Sequence, residues 1–169
     1  SNCVSAALIA NGEYTGGIAG NTVWADISRS ISYGRIIAKR TGYCGGVVGY
    51  LDSSKTINCA NFATVYSRSR NPYVGGISGF SYHNDIIYNC YNVGTIAMED
   101  GYYGAILGCA NEYKKNEGAT FDQCYYLNGS AGTHGACGAT IGKTAIKSRK
   151  TAWFTSPDST MSSICEDGT

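Results

Sequence analysis

Apolar and polar positions alternate with a period of two over short stretches of this chain, and the stretches themselves recur. One reads Tyr14-Thr15-Gly16-Gly17-Ile18-Ala19-Gly20 and returns as Tyr43-Cys44-Gly45-Gly46-Val47-Val48-Gly49, as Tyr73-Val74-Gly75-Gly76-Ile77-Ser78-Gly79 and as Tyr102-Tyr103-Gly104-Ala105-Ile106-Leu107-Gly108, with starts 29, 30 and 29 residues apart. A second stretch runs in phase with the first. It begins at Cys3, Ser30, Cys59 and Cys90, with a degenerate fifth copy from Cys124. Every second residue of it forms one consistent set: Cys or Ser, then Ser5, Ser32, Asn61 and Asn92, then Ala7, Gly34, Ala63 and Gly94, then Ile9, Ile36, Val65 and Ile96. That is one face of a strand, directed inward. The residues between, such as Leu8, Arg35, Thr64 and Thr95, share a position but not a character and are expected to point out.

Each unit of about thirty residues thus holds at least two short strands, and neither can hide its inner face unless neighbouring copies stack on it. The expected fold is all-β: a parallel β-helix-like solenoid of about four to five coils with a short C-terminal cap. Residues 1–130 form the repeat region and 131–169 the cap or tail. Stacked coils lie about 4.8 Å apart, so like residues form ladders, as Ile18, Val47, Ile77 and Ile106 would. The repeated glycines mark a corner where positive φ or close backbone approach excludes a side chain. In the tail, Lys143 to Phe154 suggests a short helix that lays Ile146, Trp153 and Phe154 over the last coil; a loosely ordered linker is the alternative.

The stretch from Tyr73 to Gly79, followed by Ile86-Ile87-Tyr88-Asn89-Cys90-Tyr91-Asn92-Val93-Gly94-Thr95-Ile96, resembles the GLUG repeat of bacterial surface and adhesin-like proteins. The resemblance covers roughly residues 1–130 and implies an extracellular spacer or adhesive role without carrying over any catalytic residue. Ser30 and Ala105 depart from it, standing where a cysteine and a glycine are usual, and the last copy is stretched.

Composition narrows the function further. Thirteen Lys and Arg against twelve Asp and Glu leave a net charge of +1, which gives no electrostatic reason to expect nucleic acid. No apolar run reaches the eighteen residues of a membrane span, and the opening Ser1-Asn2-Cys3 leads to the expectation of a soluble chain whose signal peptide has been removed. Eight cysteines without a CxxC pair lean toward an oxidising, secreted or cell-surface location and away from a zinc site. No metal or cofactor is expected. The sequon Asn128-Gly129-Ser130 makes Asn128 a glycosylation candidate.

Cys59, Cys90 and Cys124 share one ladder position, where either one adjacent pair bridges or all three remain a stack of buried thiols. Cys3 lies two rungs below Cys59 with Ser30 between. Cys137 and Cys165 are the disulfide expected in the tail, while Cys44 and Cys109, beside the glycine motif, stay ambiguous. His83 and His134 stand in segments without an acid or nucleophile pattern. Asp26, Asp52, Asp85 and Asp100 fall in turns, the first three near one edge of successive coils; such aspartates cap backbone amides more often than they act on a glycan. The motif tyrosines Tyr14, Tyr43, Tyr73 and Tyr102 are expected to stack. Tyr33, Tyr66, Tyr82, Tyr88, Tyr91, Tyr102, Tyr103 and Tyr113 offer outer aromatic faces for a carbohydrate or protein ligand. The sequence enters the repeat midway, at the second motif, so either upstream sequence is missing or a neighbouring molecule docks on the first coil, which makes head-to-tail self-association a further expectation. The functions that follow are a non-catalytic structural or adhesive repeat domain, a subunit of an extracellular filament, and, third, a β-helix carbohydrate-active enzyme.

Overall fold

The computed structural model describes residues 1–10, 12–38, 42–68, 72–98, 101–110 and 119–132, together with the backbone of 146–149. The first layer runs through β1 (Val4–Ala10), β2 (Tyr14–Gly16), β3 (Ala19–Val23) and β4 (Asp26–Ser28). The second comprises β5 (Ile31–Ala38), β6 (Tyr43–Gly45), β7 (Val48–Asp52) and β8 (Lys55–Ile57). In the third, the long strand splits into β9 (Ala60–Asn61) and β10 (Thr64–Ser67), followed by β11 (Tyr73–Gly75), β12 (Ser78–Ser81) and β13 (Ile86–Tyr88). The fourth holds β14 (Tyr91–Asn92), β15 (Ile96–Met98), β16 (Tyr102–Gly104), β17 (Leu107–Ala110) and β18 (Thr120–Asp122); β19 (Cys124–Leu127) and β20 (Ile146–Arg149) continue the first wall.

All pairing is parallel between adjacent layers, so the described chain is an all-β solenoid with four walls. The registers reproduce the sequence ladders: Ser5 on Ser32, Ile9 on Ile36, Val65 on Ile96 and Tyr43 on Tyr73. The chain makes about three turns, fewer than the four to five coils expected. The expected helix between Lys143 and Phe154 is also corrected, because Ile146–Arg149 is a strand parallel to β19. A single helical turn has a costly nucleus, whereas the open edge of β19 offers a ready set of backbone partners. The rest of 133–169, with Trp153 and Phe154, lies outside the described residues. Among the described residues no helix is long and apolar enough to cross a membrane.

Left-handed corners, rather than the motif glycines, turn the chain. Asn2, Arg29, Asn58, Asn89 and Gln123 all have φ between 49° and 58°, and each immediately precedes a member of the cysteine ladder. A second corner is made by Trp24, Ser53 and Asn84, with φ of 53°, 51° and 46°. Asparagine tolerates this conformation because its short amide bonds locally; here the Asn89 amide also donates to the Asn58 side-chain oxygen at 2.8 Å. The motif glycines answer to close approach instead. A Cβ at Gly46 would overlap the Gly76 carbonyl oxygen and the Asn61 carboxamide, and one at Gly76 the Ala105 carbonyl oxygen and the Asn92 carboxamide.

That contact pinches the cross-section. Asn61 and Asn92 reach from the β1/β5 wall to the glycine turn, and Asn61 Nδ2 donates to Asn92 Oδ1 at 2.8 Å. On one side of this neck lies a lobe of Ile36, Val65, Ile96, Cys44 and Val74; on the other, a lobe of Val47, Leu51, Ile77, Ile87, Ile106 and the cysteine ladder. Ala105 departs from glycine where the facing ladder has passed from Asn92 to the half-buried Tyr126. Two hydroxyls, those of Ser32 and Thr56, are buried without a partner. Thr56 stands between Ile27 and Ile87 in an otherwise apolar ladder. Thr56→Val is therefore expected to stabilise the fold by about 1 kcal/mol, read as a rise in thermal midpoint of about 2–4 °C.

Candidate functional site

The most developed surface is aromatic and lies on the wall of β2, β6, β11 and β16. Each of these strands begins with the motif tyrosine, and a parallel in-register ladder superposes the rings. Tyr14, Tyr43, Tyr73 and Tyr102 stack at centroid separations of 5.4, 5.4 and 5.3 Å with interplanar angles of 18°, 15° and 11°. A second row from β7 and β12 interlocks with the first: Tyr50 packs edge-on against Tyr14 and Tyr43, and Phe80 edge-on against Tyr73. Tyr50 and Phe80 themselves stack at 5.7 Å, and Tyr82 leans on Tyr50 at 6.1 Å. Seven rings form one face. The sequence analysis missed Tyr50 and Phe80, although both stand seven residues after a motif tyrosine and so recur as the tyrosines do.

Stacking decides what this face can do. Within the row each ring turns its faces to its neighbours and its edge and hydroxyl outward; only the two end rings, Tyr14 and Tyr102, keep one face unstacked within it. They are 39% and 47% exposed. Burial among the rings, helped by the neighbouring Asp52 carboxylate, pushes the Tyr50 phenol up to about 12, and burial with the adjacent Tyr73 and Tyr14 raises Tyr43 as well. The Tyr43 and Tyr50 hydroxyls therefore remain neutral at any physiological pH. The surface is a rigid apolar ridge edged by hydroxyls, a composition suited to a broad macromolecular contact.

The other tyrosines divide. Tyr33 stacks on Phe62 at 5.0 Å on a different wall, and Tyr66 lies beneath the Arg68 guanidinium at 5.6 Å. Tyr91 is fully buried, stacked on Tyr125 and donating to Asn89 Oδ1 at 2.7 Å, so it offers no outer face. Tyr113 lies outside the described residues.

Comparison with family models, with curated proteins and with solved structures finds no match for this chain. Its repeats and side-chain geometry therefore carry the functional reading.

Among the described residues, Asp26, Asp52 and Asp85 each have different partners. Asp26 lies opposite Lys55 in register, with a 3.9 Å ion pair between exposed side chains. Asp52 Oδ1 receives the Ser53 hydroxyl at 3.1 Å and lies 3.3 Å from His83 Nδ1. His83 thus has the acid partner that its sequence context did not reveal, supplied from the layer below. A serine relay needs the imidazole between hydroxyl and carboxylate; here the carboxylate stands in the middle. Asp85 is fully buried at the corner, its Oδ1 accepting from Ser54 N at 2.8 Å and its Oδ2 from the Ser81 hydroxyl at 2.5 Å and Tyr82 N at 3.0 Å. Asp100 and His134 lie outside the described residues.

All six described cysteines are free thiols. Cys59, Cys90 and Cys124 form the expected ladder, fully buried, and each Sγ donates at 3.3 Å to the carbonyl two residues earlier. Ser30 makes the same bond from its hydroxyl at 2.9 Å, which explains how serine replaces cysteine there. Burial pushes the Cys90 thiol well up and the Cys44 thiol to about 12, so these side chains act as small apolar core groups rather than nucleophiles. Cys3 is exposed at the foot of the ladder. Cys137 and Cys165 lie outside the described residues. Among the described residues no group of histidine, cysteine and carboxylate side chains could hold a metal ion. Asn128 is exposed in a turn, but the Ser130 of its sequon is buried and lies 3.4 Å from the Asn92 amide.

Proposed function

We propose that this chain is a non-catalytic structural or adhesive repeat domain of a secreted or cell-surface protein, built from GLUG-like repeats in residues 1–130 and followed by a cap or tail over 131–169. The observation that carries the reading is the seven-ring ridge on a rigid solenoid. A ridge of stacked phenols has a fixed shape before any partner arrives, so binding would order few side chains. Against a glycan-cleaving role, Asp26, Asp52 and Asp85 are each engaged with a different partner, one of them in the core. The extracellular setting rests on the repeat resemblance, since the buried thiols serve equally well in any compartment.

The test is a binding panel of insoluble glycans and immobilised extracellular-matrix proteins. Tyr82→Ser combined with Tyr102→Ser, both at exposed rings, is expected to weaken the retained interaction by about tenfold or more. Tyr33→Ser on another wall should leave it unchanged. Equal retention of the two variants would overturn the reading.

A further inference from the structure

The ridge tyrosines touch one another in two ways. Those of the motif row meet face to face: Tyr43 and Tyr73, in the two inner layers, stack at 5.4 Å and 15°. Parallel register sets each ring on its counterpart, Tyr14 on Tyr43, Tyr43 on Tyr73 and Tyr73 on Tyr102. Tyr50 instead meets Tyr43 edge-on at 63°, and Phe80, in contact with Tyr43 and Tyr73, carries no hydroxyl.

That difference matters for phenol chemistry. A phenol that has lost one electron and its hydroxyl proton holds the unpaired electron in orbitals perpendicular to the ring, with much of it on the two carbons beside the one that bears oxygen. Stacked faces aim these orbitals at each other; an edge-on pair does not. Tyr43 and Tyr73 are half-buried. Among the described residues the Tyr43 hydroxyl has no hydrogen-bond partner, and the buried orphan hydroxyls are those of Ser32 and Thr56, so the Tyr43 oxygen opens to solvent. Tyr91 and Tyr125 are also stacked, at 5.4 Å and 16°, but Tyr91 is fully buried and its hydroxyl donates to Asn89.

We propose that the motif row is a site of oxidative cross-linking, where a haem peroxidase with hydrogen peroxide joins Tyr43 to Tyr73, or either of them to its outer neighbour, as dityrosine. Each of two stacked phenols gives up one electron and its hydroxyl proton, and the peroxide takes both electrons and both protons to become two waters. A carbon–carbon bond forms between the ring carbons beside each oxygen. The hydrogen on each of those carbons then moves to the oxygen of its own ring, so both phenols are restored and the chain is two hydrogens lighter. Tyr43 and Tyr73 are 30 positions apart. Their link therefore ties one layer to the next and restricts the unfolded chain as a disulfide does. The proposal goes beyond the adhesive reading and does not depend on it.

The full chain, treated at high dilution with a haem peroxidase and hydrogen peroxide and then separated by size, tests it through dityrosine fluorescence, intact mass, peptide mapping and melting. The monomer should gain the fluorescence, lose two hydrogens, map to a link within the row and melt at a higher temperature. Tyr43→Phe with Tyr73→Phe keeps the stacked rings, which circular dichroism and the untreated melting curve check. It removes every neighbouring pair of phenols in the row and should abolish the monomer's link. Tyr50→Phe removes only an edge-on partner and should leave the link in place. Dityrosine confined to covalent dimers, a link mapped to Tyr50 or Tyr91, loss of tyrosine without dityrosine, or an undiminished yield in the double variant would each overturn the proposal.

Discussion

Gly76→Ala is expected to destabilise the solenoid by about 3 kcal/mol, enough to empty much of the native state of a domain with ordinary stability. The added methyl has nowhere to go. It would meet the Ala105 carbonyl oxygen of the layer above and the Asn92 carboxamide across the neck. Neither is the free end of a flexible side chain: the first is backbone, and the second is held by hydrogen bonds from Asn61 and toward Ser130. Thr64→Ala, on the outer side of β10, is the control and should change stability by less than about 0.5 kcal/mol. Urea titrations of both variants check the pair; equal losses would mean that the neck does not constrain the fold.

Asp85→Ala should cost a similar amount, about 3 kcal/mol, for a different reason. The variant strands the backbone N–H of Ser54 and the Ser81 hydroxyl without their acceptor, while Tyr82 N–H keeps the Leu51 carbonyl at 2.9 Å, and a buried orphan donor costs about 1–3 kcal/mol. The pH dependence has a definite sign. Burial is the largest influence on Asp85 and raises its pKa above the ordinary carboxylate value, with Asp52 adding to the rise. A raised folded-state value means that the native state takes up this proton more readily than the unfolded chain, so this group alone favours folding more as pH falls from neutral toward 4. Chemical denaturation of wild type and variant at neutral and mildly acid pH reads both effects. The gap between them should widen as pH falls from 7 toward 4.

The repeat was legible because ladders impose the same demand at every layer. Ile36, Val65 and Ile96, or Tyr43 and Tyr73, stand in register on their counterparts in the next layer, so periodicity in sequence is contact in space. What escaped depends on contacts without a period. The corner from Ser81 to Asp85 is one residue longer than its counterpart from Leu51 to Ser54, and that extra residue accompanies the meeting of His83 with Asp52 and of Asp85 with Ser54. The left-handed corners were hidden for another reason: Asn58 and Asn89 advertise one and Asn84 the other, but Arg29 at the first and Trp24 at the second do not. The strand at Ile146–Arg149 follows from the edge that β19 leaves open, which no property of those four residues announces.

One consequence follows from the way layers meet. Where a ladder position contacts its like above and below, as in the tyrosine and aliphatic ladders, inserting or deleting a whole layer would create no contact of a new kind there. Such a fold contains no ruler. Its length is a quantity that duplication can change freely, while the surface chemistry of each wall repeats with it, so reach and the number of ring positions along the ridge grow together.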